Sequence, residues 1–547
     1  MVSEVAYGWE TKRDGLSRAQ SVLMVLALVV FGTIFIRVVI APEHGLATPS
    51  TLGSLAVAVL LAGFFGLKWR PLSRLASWVD GRSRRRRRAI LLGLHLTLTL
   101  VSCVVALGVY QPVRGGWDVD VVSQAAVQWA TKGTLTDVQT QYFELWTNNI
   151  GQLNIMHLIA LAVGPSAFAM VALLSGPVLA SITIALVYGV AHERADTGTA
   201  LLAGAASWVL VGMNPYVAVP YTDMYVLLFP VLLMLLMGKA YRSPTLRGRM
   251  GWLVAVGVVA GIAAQIKITV LIVVIAAAVI IAVAIALVGR GRRLLVALGA
   301  VLMVVSTLAT FEAASAVSNG ALPAGNDRSQ AMPMEYWVAT GLSEPYGEWN
   351  LDLMDSLAAA TSTSGRRQLA DVVIEQRLNE LGPGGYVAFL YKKLTWVYSD
   401  GTYFAFGEAQ LAPGAAFAYS NVVAHDIRTF LVPTGGWQNA MYSTLIQGVW
   451  LIVLAGVLLA FLRKLRAPFD WFVSTLALTV LGVTAYQAIW EARARYLLMF
   501  VPLFILLAFV GARKAVVGVA EDQPAVQNEI PDEAAKDGHD LAKDQVR

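Results

Sequence analysis

A chain of 547 residues with 57% hydrophobic and 14% charged residues, and a mean hydropathy of +0.64, lies outside the soluble class, where about 25% of residues are charged. Its net charge of +6 is gathered in short runs such as "GRSRRRRRAI", which reads as a topology signal and not as a nucleic-acid surface. The single cysteine, Cys103, excludes an intramolecular disulfide, and the few histidines include no pair at zinc spacing.

Crossing about 30 Å of hydrocarbon takes roughly 20 helical residues. Apolar runs fall near 20–41, 52–68, 88–110, 167–191, 197–213, 222–239, 250–267, 268–289, 293–316, 441–462, 469–488 and 495–513. The first run lacks a small-residue cleavage site and reads as an anchor. With twelve spans, "TKRDGLSR", "KWRPLSR" through "RSRRRRR", "KAYRSPTLRGR", "GRGRR", "FLRKLR" and "GARK" all fall on one side, the cytoplasmic one by the positive-inside rule. The expected fold is an all-α polytopic membrane protein of about twelve transmembrane helices in a cell membrane, with both termini cytoplasmic.

The segment 148–164, "NNIGQLNIMHLIALAVG", is short and carries Asn148, Asn149, Gln152, Asn154 and His157. It is expected to lie at, or dip into, the outer interface instead of spanning. The outer face then holds a first loop over 111–164, a short loop "NPYVAVPYTD" from Asn214, and a long loop over about 318–440. The long loop has aromatics throughout and periodic apolar positions in "RRQLADVVIEQRLNELG", which predicts a small helical outer subdomain. The charged, aromatic-free tail 514–547 reads as disordered.

The first loop opens "RGGWDVDVVSQAAVQWA", with Trp117 beside Asp118 and Asp120. Such acids can simply mark a solvated loop. They can also do chemistry: the glycines permit close backbone approach, Trp117 offers an aromatic platform, and a partly desolvated carboxylate can accept a proton from a hydroxyl. In an extended segment Asp118 and Asp120 point the same way, whereas in a helix they diverge by about 160°. Asp118, next to the Trp and the glycine turn, is the preferred base. "YTD" brings Tyr221 and a further acid, Asp223, to the start of a span.

Lys267, in "GIAAQIKITVLI", sits between two apolar runs at the outer boundary; it either snorkels or holds a lipid phosphate. In "AIWEARARYLLMFVP", Glu491, Arg493, Arg495 and Tyr496 cluster at the outer start of the last span, against the positive-inside trend. Helical spacing predicts an i,i+4 pair of Glu491 with Arg495, leaving the other arginine to grip phosphate oxygens with its planar fork. In the long loop, "YKKLTWVYSDGTYFAFGEAQ" puts Lys393, Asp400 and Tyr403 close together. They are either parts of a soluble subdomain or, in a lid, contacts to substrate.

In order and sidedness these pieces resemble the GT-C superfamily of membrane glycosyltransferases, in its protein O-mannosyltransferase and aminoarabinose transferase branch. The resemblance rests on "GWDVD", "YFELWTNNIG", "YTD", the "IK" ending a later span, "KKLTWVYSDGTYF" and "EARARYLLMFVP", and covers about residues 90–515. It implies a division into 1–87 (an N-terminal segment with two spans extra to the fold), a core 88–316 with the catalytic loop, an outer loop 317–440, C-terminal spans 441–513, and the tail. It also implies a polyprenyl-phosphate sugar donor, an outer-face active site, and a first-loop aspartate base, mapping onto Asp118 or Asp120. Where many related sequences have His-Trp in the long loop, this one has Tyr336-Trp337, so no histidine role transfers there.

The expected activity is inverting transfer of a sugar to a glycan, glycolipid or protein hydroxyl, with Lys267 and Arg493 or Arg495 on the donor phosphate. No GxxxxGK[ST] motif is present, and no nucleic-acid partner is implied. No cofactor is indicated; a divalent metal stays open, without a ligand cluster to argue for it. The competing readings are a transporter or flippase of lipid-linked glycans and a non-catalytic envelope assembly factor.

Overall fold

The computed structural model describes residues 13–43, 50–66, 70–110, 118–287, 290–323, 327–405, 427, 429–432 and 437–513. Trp117 and the tail 514–547 lie outside them. Every regular element among the described residues is helical. In chain order these are α1 (Arg13–Ile40), α2 (Thr51–Gly66), α3 (Arg70–Asp80), α4 (Arg84–Val105), α5 (Asp118–Lys132), α6 (Asp137–Leu145), α7 (Ile150–Arg194), α8 (Thr197–Ser207), α9 (Thr222–Val226), α10 (Phe229–Arg242), α11 (Leu246–Ile266), α12 (Leu271–Leu287) and α13 (Arg290–Gly320). There follow α14 (Met334–Thr340), α15 (Leu351–Ala358), α16 (Thr363–Ser399), α17 (Trp437–Lys464), α18 (Trp471–Ile489) and α19 (Val501–Leu506).

Ten described helical segments are long and apolar enough to cross a membrane, and two shorter apolar ones, Thr51–Gly63 and Thr197–Gly212, stand at the remaining expected positions. The ten make this a multi-pass membrane protein, and the two shorter helices fall below the length of a full crossing. Many side chains on these helices face outward although apolar, among them Leu26, Leu60, Leu100, Ile275 and Leu308. That pattern suits a lipid surround, where apolar faces need no protein cover.

The segment 148–164 gains a structural reason for its ambiguity. It is the leading arm of α7, whose 45 residues form two helices joined at a break. Gly164 breaks it, at φ 74° and ψ 166°, directly before Pro165. Glycine is needed there because that φ costs any side chain, and the following proline removes a helix donor. The arm Ile150–Val163 is about 21 Å long, short of a crossing, and is a helix of its own ahead of the span that follows the break at Gly164.

The expected extended-or-helical choice for Asp118 and Asp120 resolves as helix. Both lie in the first turn of α5, where acids complement the helix dipole. A capping box between Thr136 and Gln139 starts α6. Between the second and third spans lies α3, not anticipated from the sequence, with Val79 buried and Leu75 and Trp78 half exposed. In the long loop α16 is interrupted at Gly382, and Tyr336, Ala339, Leu357 and Ala370 form a small second core against Trp146 of the first loop and Trp337.

Candidate functional site

At one end of the bundle, four segments far apart in sequence converge: the start of α5, the turn into α9, the break between α11 and α12, and the stretch between α18 and α19. Asp118 supplies a carboxylate whose two oxygens are both engaged. Oδ1 accepts from the Tyr142 hydroxyl at 2.6 Å, and Oδ2 accepts from the Tyr221 hydroxyl at 2.7 Å. The Asn149 amide donates to Tyr142 Oη at 2.7 Å and its carbonyl lies 2.9 Å from Tyr221 Oη, closing a ring of four side chains. Burial first, and then the charge of Asp118, holds both phenols well above their ordinary ionisation range, so both stay protonated donors. An ionised carboxylate has about four lone-pair sites. Two are used here, which leaves acceptor capacity for a substrate hydroxyl.

Asp120, two residues on, leaves this ring, because helical geometry turns it about 160° away. Tyr142 was not singled out by sequence reasoning, and Asn149 was named only as one of the polar residues of 148–164. The available signal was the polar Asn149 immediately before an apolar run, but the link to Asp118 depends on the chain reversal between α6 and α7.

The charged half of the site centres on Asp223, 2% exposed. Its Oδ1 is in direct contact with Lys267 Nζ, and its Oδ2 lies 3.8 Å from Arg495 Nε. Lys267 sits where α11 ends and the backbone becomes extended, at φ −154° and ψ 112°, which turns its side chain away from the helix line. Its ammonium lies 4.2 Å from the Tyr496 ring centroid, and the Arg495 guanidinium lies 5.6 Å from the Tyr221 ring. Tyr221 therefore connects the two halves: its hydroxyl serves Asp118 and its face serves Arg495.

The expected i,i+4 pairing of Glu491 with Arg495 does not occur. Residues 490–493 are not helical, and a tight turn begins only at Ala494. Glu491 instead accepts from Arg493 Nε at 2.9 Å and from the Tyr496 hydroxyl at 3.2 Å, while Arg495 turns to Asp223. Both arginines lie in this cluster, with their pairings exchanged. The extended stretch is held by Gln487, whose amide donates to Arg493 O at 2.9 Å and whose Oε1 accepts from Arg493 N at 3.3 Å.

The three long-loop candidates are placed elsewhere. Lys393 is fully buried with its ammonium on three backbone carbonyls, so it offers nothing to a substrate. Asp400 caps its own turn, accepting from Thr402 N at 2.7 Å and Phe404 N at 3.0 Å. That turn holds Tyr403 and Phe404 at φ 57° and 59°, a region costly for residues with side chains. Tyr403 is itself fully buried, and burial raises its phenol far above the ordinary range. These three are parts of the packing, a correction to their expected role as substrate contacts. Among the described residues, no group of three or more His, Cys, Asp or Glu side chains is placed to hold a metal.

A family model described as "conserved hypothetical integral membrane protein" matches residues 16–516. No curated protein matches the chain. Among solved structures, it is similar to the archaeal oligosaccharyltransferase AglB from Archaeoglobus fulgidus, in complex with an inhibitory peptide and a dolichol-phosphate. That similarity has a TM-score of 0.38 at 12% identity, over 76% of this chain and 50% of that one; the chain thus spans about half the length of that protein.

Proposed function

We propose that this chain, which belongs to the family of conserved hypothetical integral membrane proteins, is an inverting glycosyltransferase of GT-C type, moving a sugar from a polyprenyl-phosphate donor to a hydroxyl on a glycan, glycolipid or protein at the outer membrane face. The observation that carries this reading is the convergence of an oriented carboxylate, Asp118, with three cations, Lys267, Arg493 and Arg495, at the span ends. Ionisable groups at membrane depth are costly and mark function by default. This set holds what transfer from a lipid phosphate needs: a base for the acceptor and donors for the leaving group.

In the proposed reaction the acceptor hydroxyl gives its proton to a remaining lone pair of Asp118 as its oxygen attacks the anomeric carbon. The bond from that carbon to the phosphate oxygen breaks, and the electron pair leaves with the lipid phosphate. Lys267 and Arg495, held by their common partner Asp223, bring positive charge to the lipid phosphate, where negative charge develops. Arg493, paired with Glu491 through Nε, has the planar guanidinium geometry that suits bidentate phosphate contact. Asp223 is already engaged by a lysine and faces an arginine, whereas Asp118 is held only by neutral hydroxyl donors, which favours Asp118 as the base.

The polar groups gather at the ends of spans instead of their middles, which disfavours the transporter reading, since such sites lie near the bilayer midplane. The test is mass spectrometry of envelope glycans, glycolipids and glycoproteins from a strain lacking the gene. A sugar missing from one of them, restored by the intact gene, is expected; an unaltered profile with an accumulated lipid-linked glycan on one leaflet points to transport instead.

A further inference from the structure

Directly behind the cationic stretch lies Lys393, 0% exposed. It is near the end of α16, well away from the spans in sequence, yet its ammonium donates to Gly341 O at 2.6 Å, Trp490 O at 2.7 Å and Ala488 O at 3.1 Å. One carbonyl belongs to the long loop, and two belong to the exit from α18. Two backbone bonds run beside it, Glu491 N to Trp337 O at 2.9 Å and Ala492 N to Gly347 O at 2.7 Å. At Gly341 the loop approaches so closely that a Cβ would lie 2.6 Å from the Ile489 and Trp490 backbone. Residues 337–347 thus form a strap over 488–492, with one lysine at the crossing. Residues 488–492 include Glu491 and lead directly to Arg493.

We propose that Lys393 is the positioning residue of the transfer site: it fixes residues 337–347 of the long loop onto residues 488–492 and so sets Glu491 and Arg493, and its protonation state couples the strength of that strap to pH. This deepens, and rests on, the reading of the cluster as a transfer site. As an ammonium Lys393 has a donor for each of its three carbonyl acceptors; as a neutral amine it keeps two, and relief of the buried charge weighs against the bond lost.

Burial lowers the amine to about 7, against which the charge of Glu491 acts in the opposite sense. The other charged groups on the surrounding elements are engaged elsewhere. Glu344 pairs with Arg377, the Tyr346 hydroxyl donates to Glu43 at 2.8 Å, Lys392 lies over the Tyr346 ring at 4.8 Å, and Arg493 pairs with Glu491. The sign follows from linkage. An opened strap exposes the amine to water, where it binds a proton up to about pH 10. Between about 7 and that value, opening takes up a proton, so the strapped form gains stability as pH rises above 7 and has none of this gain below.

Hydrogen exchange of the detergent-solubilised full chain reads this without any assumption about activity. In the wild type, protection of the Glu491 and Ala492 amides, corrected for intrinsic exchange, should rise between pH 6.5 and 9. In Lys393→Met, which leaves three buried carbonyls without a donor, protection should fall on the order of tenfold and lose its pH dependence. Lys393→Arg, tested beside it, should keep more protection than Met but likewise lose the pH response, since arginine does not titrate in this range. If Lys393→Met keeps wild-type protection with the same pH response, the strap is not set by this lysine. The second arm is sugar transfer in cells: Lys393→Met should lower it while donor binding falls at most severalfold, and unchanged transfer with a loosened strap overturns the positioning role. Absence of transfer in the wild type itself would overturn the glycosyltransferase reading instead, leaving the exchange result to stand alone.

Discussion

Asp223 stands between Lys267 and Arg495, one carboxylate oxygen on the lysine ammonium and the other 3.8 Å from the arginine Nε. The acid comes from the start of α9, the lysine from the break after α11, and the arginine from the turn before α19. A single side chain therefore ties three span ends together and aims two cations. Removing one partner of a buried pair leaves uncompensated charge and costs about 3–5 kcal/mol. Asp223→Asn should accordingly lower the unfolding midpoint, read by thermal denaturation in detergent, and should reduce transfer more than tenfold. Combining it with Lys267→Met should recover part of the stability and none of the activity; additive losses would show that the two side chains are not coupled.

Arg495 and Arg493 differ in how they are held, and substitution by lysine separates their roles. Lysine keeps the charge but not the planar fork. Arg495→Lys and Arg493→Lys should each weaken binding of polyprenyl phosphate about tenfold or more, the range of a charged hydrogen bond, measured by native mass spectrometry with added lipid. Undiminished binding in both would take the arginines out of phosphate recognition.

The ring around Asp118 makes a prediction about orientation. Tyr221→Phe removes one of two hydroxyl donors to the carboxylate and keeps the ring over which Arg495 lies. Transfer should fall by about tenfold to a hundredfold while lipid binding is retained, because a slightly misplaced catalytic group is expensive. Tyr142→Phe should behave the same way, and Asn149→Ala should resemble both, since Asn149 bonds each tyrosine. Full activity in all three would show that the ring orients nothing the reaction uses.

Much of this architecture was legible because its causes are local. Hydrophobic length fixed the positions of the twelve apolar helices, and the charge runs between them fixed which loops share a face. The gathering of Asp118, Tyr221, Asp223, Lys267, Arg493 and Arg495 follows from that shared face. What was not legible depends on chain reversals and irregular backbone. The pairing of Glu491 was misassigned because helical periodicity was extended across 490–493, where the backbone is extended and Gln487 holds it. Lys393, a lysine in an aromatic loop segment, gives no sequence signal of full burial; its three carbonyl partners come from two regions remote from it in sequence.

The two acids of "WDVD" remain the sharpest discriminator. Because α5 turns Asp120 away from the ring, Asp120→Asn should keep transfer within about threefold of wild type, whereas Asp118→Asn should not. The direct measurement is recovery of the missing envelope sugar in a gene-deleted strain carrying wild type, Asp120→Asn or Asp118→Asn at matched membrane levels, with polyprenyl phosphate binding measured on each purified protein. The account predicts sugar restored by the first two, absent with Asp118→Asn, and lipid bound by all three; sugar restored by Asp118→Asn would contradict it.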